Sequence, residues 1–89
     1  MDNRAFEDTL RRDGFGEIEI GEKPAHHKTG EHAHPFDVSA LVLDGAITLT
    51  CGGEARTYAA GDRFEMAAGT PHIEAVGPEG VRYLVGRRR

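Results

Sequence analysis

Cysteine occurs once in the 89 residues, at Cys51, so no disulfide can close within the chain. A reducing compartment follows as the default, and a cytoplasmic location is the expectation. The thiol sits in "TCGGE", which reads as a hairpin tip, and no histidine or lysine adjoins it to activate it. No apolar run approaches the length of a bilayer crossing. The opening "MDNRAFEDTL" is charged where a secretory signal would be apolar. Excess positive charge is missing too. A formal net charge of −4 offers no general attraction to nucleic acid or an anionic membrane, and neither is expected as a partner. The terminal "GRRR" reads as a solvated end.

Repeats, low-complexity tracts and linkers are also absent, which leaves one domain. Apolar residues make up 38% and charged residues 29%, with both signs interspersed, as in a folded globular chain. So short a chain buries a limited core, and a metal or a second subunit would add stability. Residues 1–14 are predicted to form a short helix packed on the rest, with Asp2 or Asn3 as its cap. Phe6 and Leu10 share one face of it, and Gly14 and Gly16 end it.

Residues 15–89 read as short strands between turns. "GEIEIGE" alternates with a period of two. "DVSALVL" runs to Asp44-Gly45, a tight-hairpin signal, with "AITLT" as the returning strand. "CGGE" and "AGD" bound "ARTYA", then "RFEMA" follows. "AGTP" leads into "HIEAV", and "GPEG" separates that from "VRYLV". Seven or eight such strands predict an antiparallel sandwich or barrel, since the gaps are too short for crossover helices. In "VSALVL" both alternating sets are largely apolar, so both faces are expected to be buried. One would look into the barrel, and the other would meet the N-terminal helix or a second subunit. A homodimer is the expectation.

Four of the five histidines fall between His26 and His34, and the fifth is His72. On an extended segment His32 and His34 project to one face and can converge on one ion. His26 and His27, if on a strand, point to opposite sides, so at most one faces a shared site as a proton carrier. Surface positions suit them better.

"HAHPFDVSALVLDG" together with "GDRFEMAAGTPH" resembles the two sequence motifs of the cupin superfamily. His32, His34 and Gly45 match the first motif, and Gly61, Gly69 and His72 match the second. The resemblance covers about Thr29 to Val76. It implies an all-β fold, a small antiparallel jelly-roll barrel carrying the short N-terminal helix. It also implies that His32, His34 and His72 are metal ligands near the barrel centre. The family's ligand glutamate falls on Val38, which cannot bind metal; its proline falls on Ala67 and its late asparagine on Val76. Two carboxylates are candidates for the missing one, and for a general base: Asp37 beside Val38, if the strand is irregular after Pro35, and Glu74, on the same face as His72. Otherwise water completes a three-histidine site. Glu31 is a candidate to orient an imidazole. Tyr58, Phe64 and Met66 are expected in the core or the pocket wall, and Asp62 and Glu65 at turns and surface.

The expected function is a small metal-binding cupin. A divalent transition metal (Fe, Mn, Zn or Ni) would serve a dioxygenase, isomerase or lyase acting on a small organic molecule. The alternative is a ligand-binding or sensing module without turnover, and fold alone does not choose between them.

Overall fold

The computed structural model describes residues 2–89. Helix α1, Asn3–Arg12, starts where the Asp2 carboxylate accepts a hydrogen bond from the Ala5 N–H at 2.8 Å. It stops in a Schellman turn. The Gly14 N–H reaches the Arg11 carbonyl and the Phe15 N–H reaches the Leu10 carbonyl, with Gly14 at φ +86°. That turn delivers Phe15 onto Leu10, and both join Phe6, Leu41 and Leu84 in one buried cluster. Phe6 is fully buried, so its truncation to alanine would cost about 3–5 kcal/mol.

Among the described residues five strands follow: β1 (Glu17–Lys23), β2 (Asp37–Cys51), β3 (Glu54–Ala59), β4 (Arg63–Met66) and β5 (Ile73–Arg88). All pairings are antiparallel. The order is β1-β5-β2-β3, with β4 also on β2. β4 pairs with the first part of β2, Val38–Leu41, and β3 with the last part, Ala46–Cys51, while β5 accompanies β2 through both. The sheet thereby wraps around an interior, the jelly-roll barrel with its short helix.

Ser39 to Val42 are all buried, as the two-sided apolar pattern predicts. Leu41 packs outward under α1, and Val42 packs inward with Ile47, Leu49, Val76 and Val81. The helix therefore supplies the outer cover within a single chain.

The strand count departs from expectation. Asp44-Gly45 makes no hairpin, and "AITLT" continues β2 rather than returning along it. "GPEG" likewise lies within β5. The register between β2 and β5 shifts between Val42 and Asp44 and again between Gly45 and Ile47, so the turn-like residues form bulges that bend two long strands. Gly45 has φ +75°, and a Cβ there would lie 1.9 Å from the Gly80 carbonyl oxygen. The glycine serves a close crossing of backbones. The true hairpin lies at Gly52-Gly53, between β2 and β3, where "CGGE" predicts it.

Candidate metal centre

The segment before β2 is stitched to the start of β5. The His32 N–H bonds the His72 carbonyl at 3.0 Å, and the His72 N–H bonds the His32 carbonyl at 2.9 Å. The two residues face each other as an isolated antiparallel bridge. His34 is anchored through its carbonyl, which accepts from the Gly69 N–H at 2.8 Å. Gly69 has φ +80°, so the motif glycine supplies the turn that makes this contact.

The period of two then places Glu74 beside His72 on one face of β5. Donor atoms of His32, His34, His72 and Glu74 all lie within 4.8 Å of one another, so the cluster is able to hold a metal ion. His72 and Glu74 are buried, and His32 and His34 are half-buried at the mouth. Phe36 stacks on the His34 ring at 5.0 Å and restricts its rotation.

Hydrogen bonding fixes how the rings present themselves. His32 Nδ1 lies 3.0 Å from the Gly30 carbonyl and His72 Nδ1 lies 2.9 Å from the Thr70 carbonyl. A carbonyl only accepts, so each Nδ1 donates, and in the neutral ring each Nε2 carries a lone pair. Both Nε2 atoms point at Glu74 Oε2 from 3.2 Å. A carboxylate also only accepts. Three acceptors converging on one point fit a cation between them, and the donor set of imidazoles and carboxylate suits a divalent transition metal. The other oxygen, Glu74 Oε1, is buried without a hydrogen-bond partner among the described residues. The Lys23 ammonium approaches it at 3.6 Å.

The electrostatics favour ligand forms. Burial alone would raise the Glu74 pKa. The Lys23 ammonium outweighs it, joined, when the rings are protonated, by a hydrogen bond from His72 and the charges of His32 and His72, and the carboxyl is held below its ordinary value. Burial, then the nearby His72 and His32, lower the pKa of His34 and favour its neutral ring. Burial and then the Glu74 charge raise that of Tyr83, keeping its phenol protonated.

Asp37 does not join the cluster. Its carboxylate accepts from the Ala68 N–H at 2.8 Å and pairs with Arg88 at 2.9 Å. Pro35 does not re-aim it, because regular pairing of β2 begins at Asp37 itself. Val38, at the position of the family's glutamate, lines the cavity with an apolar side chain. Glu31 is exposed, and the carbonyl of Gly30 takes the orienting role expected of it. His26 and His27 lie at a turn rather than on a strand, His26 at φ +62°, and neither lines the cavity. Asp62 caps a turn through the Ala59 N–H.

Beside the cluster lies a cavity of about 160 Å³. Phe64 and Met66 line it, whereas Tyr58 packs only against the inner core. Lys23, Tyr83 and Arg87 are among the lining residues not singled out from the sequence. Their inward orientation depends on the register of β1 against β5, and alternation in either strand alone does not give it.

A sequence pattern described as a cupin domain matches residues 17–86. No protein of curated function matches the chain. Among solved structures, one of unknown function from Rhizobium leguminosarum superposes with a TM-score of 0.75 at 20% identity, over 80% of this chain and 67% of its own. The Schizosaccharomyces pombe Cnp3 cupin domain gives 0.71 at 19%, over 80% of this chain and 53% of its own. A cupin-2 domain containing protein from Shewanella frigidimarina gives 0.69 at 14%, over 100% of this chain and 95% of its own. At these identities the likeness is one of fold.

Proposed function

Because this chain belongs to the cupin domain family, we propose that it is a small metal-binding cupin whose ion is held by His32, His34, His72 and Glu74. One observation carries the reading: two imidazole lone pairs and a buried carboxylate oxygen converge with nothing but acceptors between them. In this reading Glu74 replaces, from β5, the carboxylate that Val38 removes from β2. A bound divalent ion would supply Lewis acidity, or dioxygen binding if it is iron or manganese.

The chain's own residues do the rest. The backbone carbonyls of Gly30 and Thr70 hold the His32 and His72 rings in the ligand tautomer. Phe36, Val38, Phe64, Met66 and Val85 give a mostly apolar chamber that limits water. Dioxygenase, isomerase or lyase chemistry on a small organic molecule fits this arrangement, with a sensing module as the non-catalytic alternative. Turnover on a bound small molecule separates the two. The lone Cys51 suits a cytoplasmic setting, and among the described residues no helix is long and apolar enough to cross a membrane. We assign it a homodimeric state, which sedimentation would read.

The test is metal content by elemental mass spectrometry on protein purified without chelator. About one ion per chain is expected for the wild type and almost none for a His32→Ala/His72→Ala double variant. Glu74→Gln is expected to weaken metal affinity by roughly tenfold or more. Its amide can donate to an imidazole nitrogen, so the metal-free variant should melt no lower than metal-free wild type. A wild type that takes up no divalent ion and shows no thermal shift with any would end the metal reading.

A further inference from the structure

The cavity lining carries two cationic side chains, Lys23 and Arg87, and a single carboxylate, Glu74. The lining is therefore net positive before any ion is added, and a divalent metal would make it more so. Neither cation is spent on its known partner. Arg87 Nη1 bonds Glu19 at 2.5 Å, and the guanidinium lies over the Phe36 ring at 5.6 Å. A guanidinium carries five donors in a fork, so most remain free. Lys23 approaches Glu74 at 3.6 Å with one of three ammonium hydrogens.

Between them the backbone makes room for a polar ring. Gly21 pairs with Tyr83, and a Cβ at Gly21 would lie 2.6 Å from the Tyr83 ring. Only glycine lets the phenol lie across β1 on the same inner face as Val85 and Arg87. Much of the remaining wall is apolar, with Phe36, Val38, Phe64, Met66 and Val85 among its residues. The space is small. A volume of about 160 Å³ holds roughly five water-sized groups at about 30 Å³ each.

We propose that this cavity takes a small organic acid of a few carbons, its carboxylate received by the Arg87 fork, with Lys23 adding positive charge from across the cavity, and its apolar part lying against Phe64, Met66 and Val85. A forked guanidinium suits a carboxylate, and a desolvated wall strengthens the pairing. This rests on the metal reading only for placing the other end of the molecule beside the four-residue cluster. The anion subsite itself is built from residues outside that cluster.

Propionate and propionamide, nearly equal in shape and different in charge, are the probes. Isothermal titration would be run on zinc-loaded and metal-free protein, with zinc content measured beforehand. Propionate is expected to bind at least tenfold more tightly than propionamide in both forms. Arg87→Gln and Lys23→Gln should each reduce that preference severalfold, while Arg82→Gln, an exposed change outside the cavity, leaves it intact. Equal affinity for acid and amide overturns the proposal and leaves the metal site standing. So does a preference present only with zinc and untouched by both lysine and arginine variants, since the ion alone would then hold the anion. Protein that takes no zinc but keeps the Arg87-dependent preference supports the subsite and overturns the metal reading instead.

Discussion

Glu74 and Asp37 show how one charge can serve two different ends. Both are carboxylates near the histidine motifs, and both have pKa values held below the ordinary range, by different neighbours. For Asp37 the cause is the Ala68 N–H first and the Arg88 guanidinium second. Its role is to tie β2 to the Ala67–Gly69 turn and to the end of β5. A carboxyl with a lowered folded-state pKa stabilises the fold fully above its unfolded value near 3.8. That contribution is lost as pH falls through the lower folded value. Asp37→Asn should therefore lower the melting temperature at neutral pH, and the gap from wild type should close on acidification below about pH 4. Thermal melts at pH 7 and pH 3 measure it. Metal affinity at neutral pH should change little, because Asp37 lies outside the cluster. The choice between these carboxylates was partly legible in the sequence. The period of two already put Glu74 with His72, while Asp37 required an irregularity just after Pro35 that the fold does not contain. Lys23, Tyr83 and Arg87 were not legible, because a lone lysine or arginine on an alternating strand gives no sign of which face is inside.

At the scale of elements, the informative contrast is between two glycine turns that look alike in sequence. Asp44-Gly45 and Gly52-Gly53 both carry hairpin chemistry, and both glycines, Gly45 and Gly52, have positive φ. Only the second turns the chain. The first is overruled because β5 pairs with β2 on both sides of it, and long-range pairing outweighs a local turn preference. The helix, by contrast, was readable because its cap, its i to i+4 apolar pair and its terminating glycine are all local. A substitution pair distinguishes the two glycines. Gly45→Ala adds backbone strain and a clash with the Gly80 carbonyl, and should cost about 2–4 kcal/mol. Gly52→Asn stands in open space at a conformation asparagine tolerates, and should cost less than about 1 kcal/mol. Urea denaturation of both variants gives the comparison directly.

For the molecule as a whole, the notable fact is that His32 and the Glu74 carboxylate stand 42 residues apart along the chain. What unites them is the bridge between His32 and His72, which joins the segment before β2 to the beginning of β5. Before that closure the four donors of the cluster are split between two local pairs, His32–His34 and His72–Glu74. An unfolded or half-folded chain therefore offers an ion only part of this donor set, and the full set arises only when the last strand docks. Bridging such a separation is slow to achieve, because the loop must close before its contacts reward it. Ligand binding to the finished site therefore belongs on the native side of the folding barrier. Saturating zinc should slow unfolding roughly in proportion to its stabilisation, about 2.7 kcal/mol at a hundredfold excess over the dissociation constant. It should leave the refolding rate nearly unchanged. Stopped-flow kinetics with and without zinc would read this, and a marked acceleration of refolding would mean that the histidines meet before the barrel closes. The same closure gives the bridge a second consequence, in time rather than space: a bound ion would act as a latch on a finished barrel, holding shut the seam between His32 and His72.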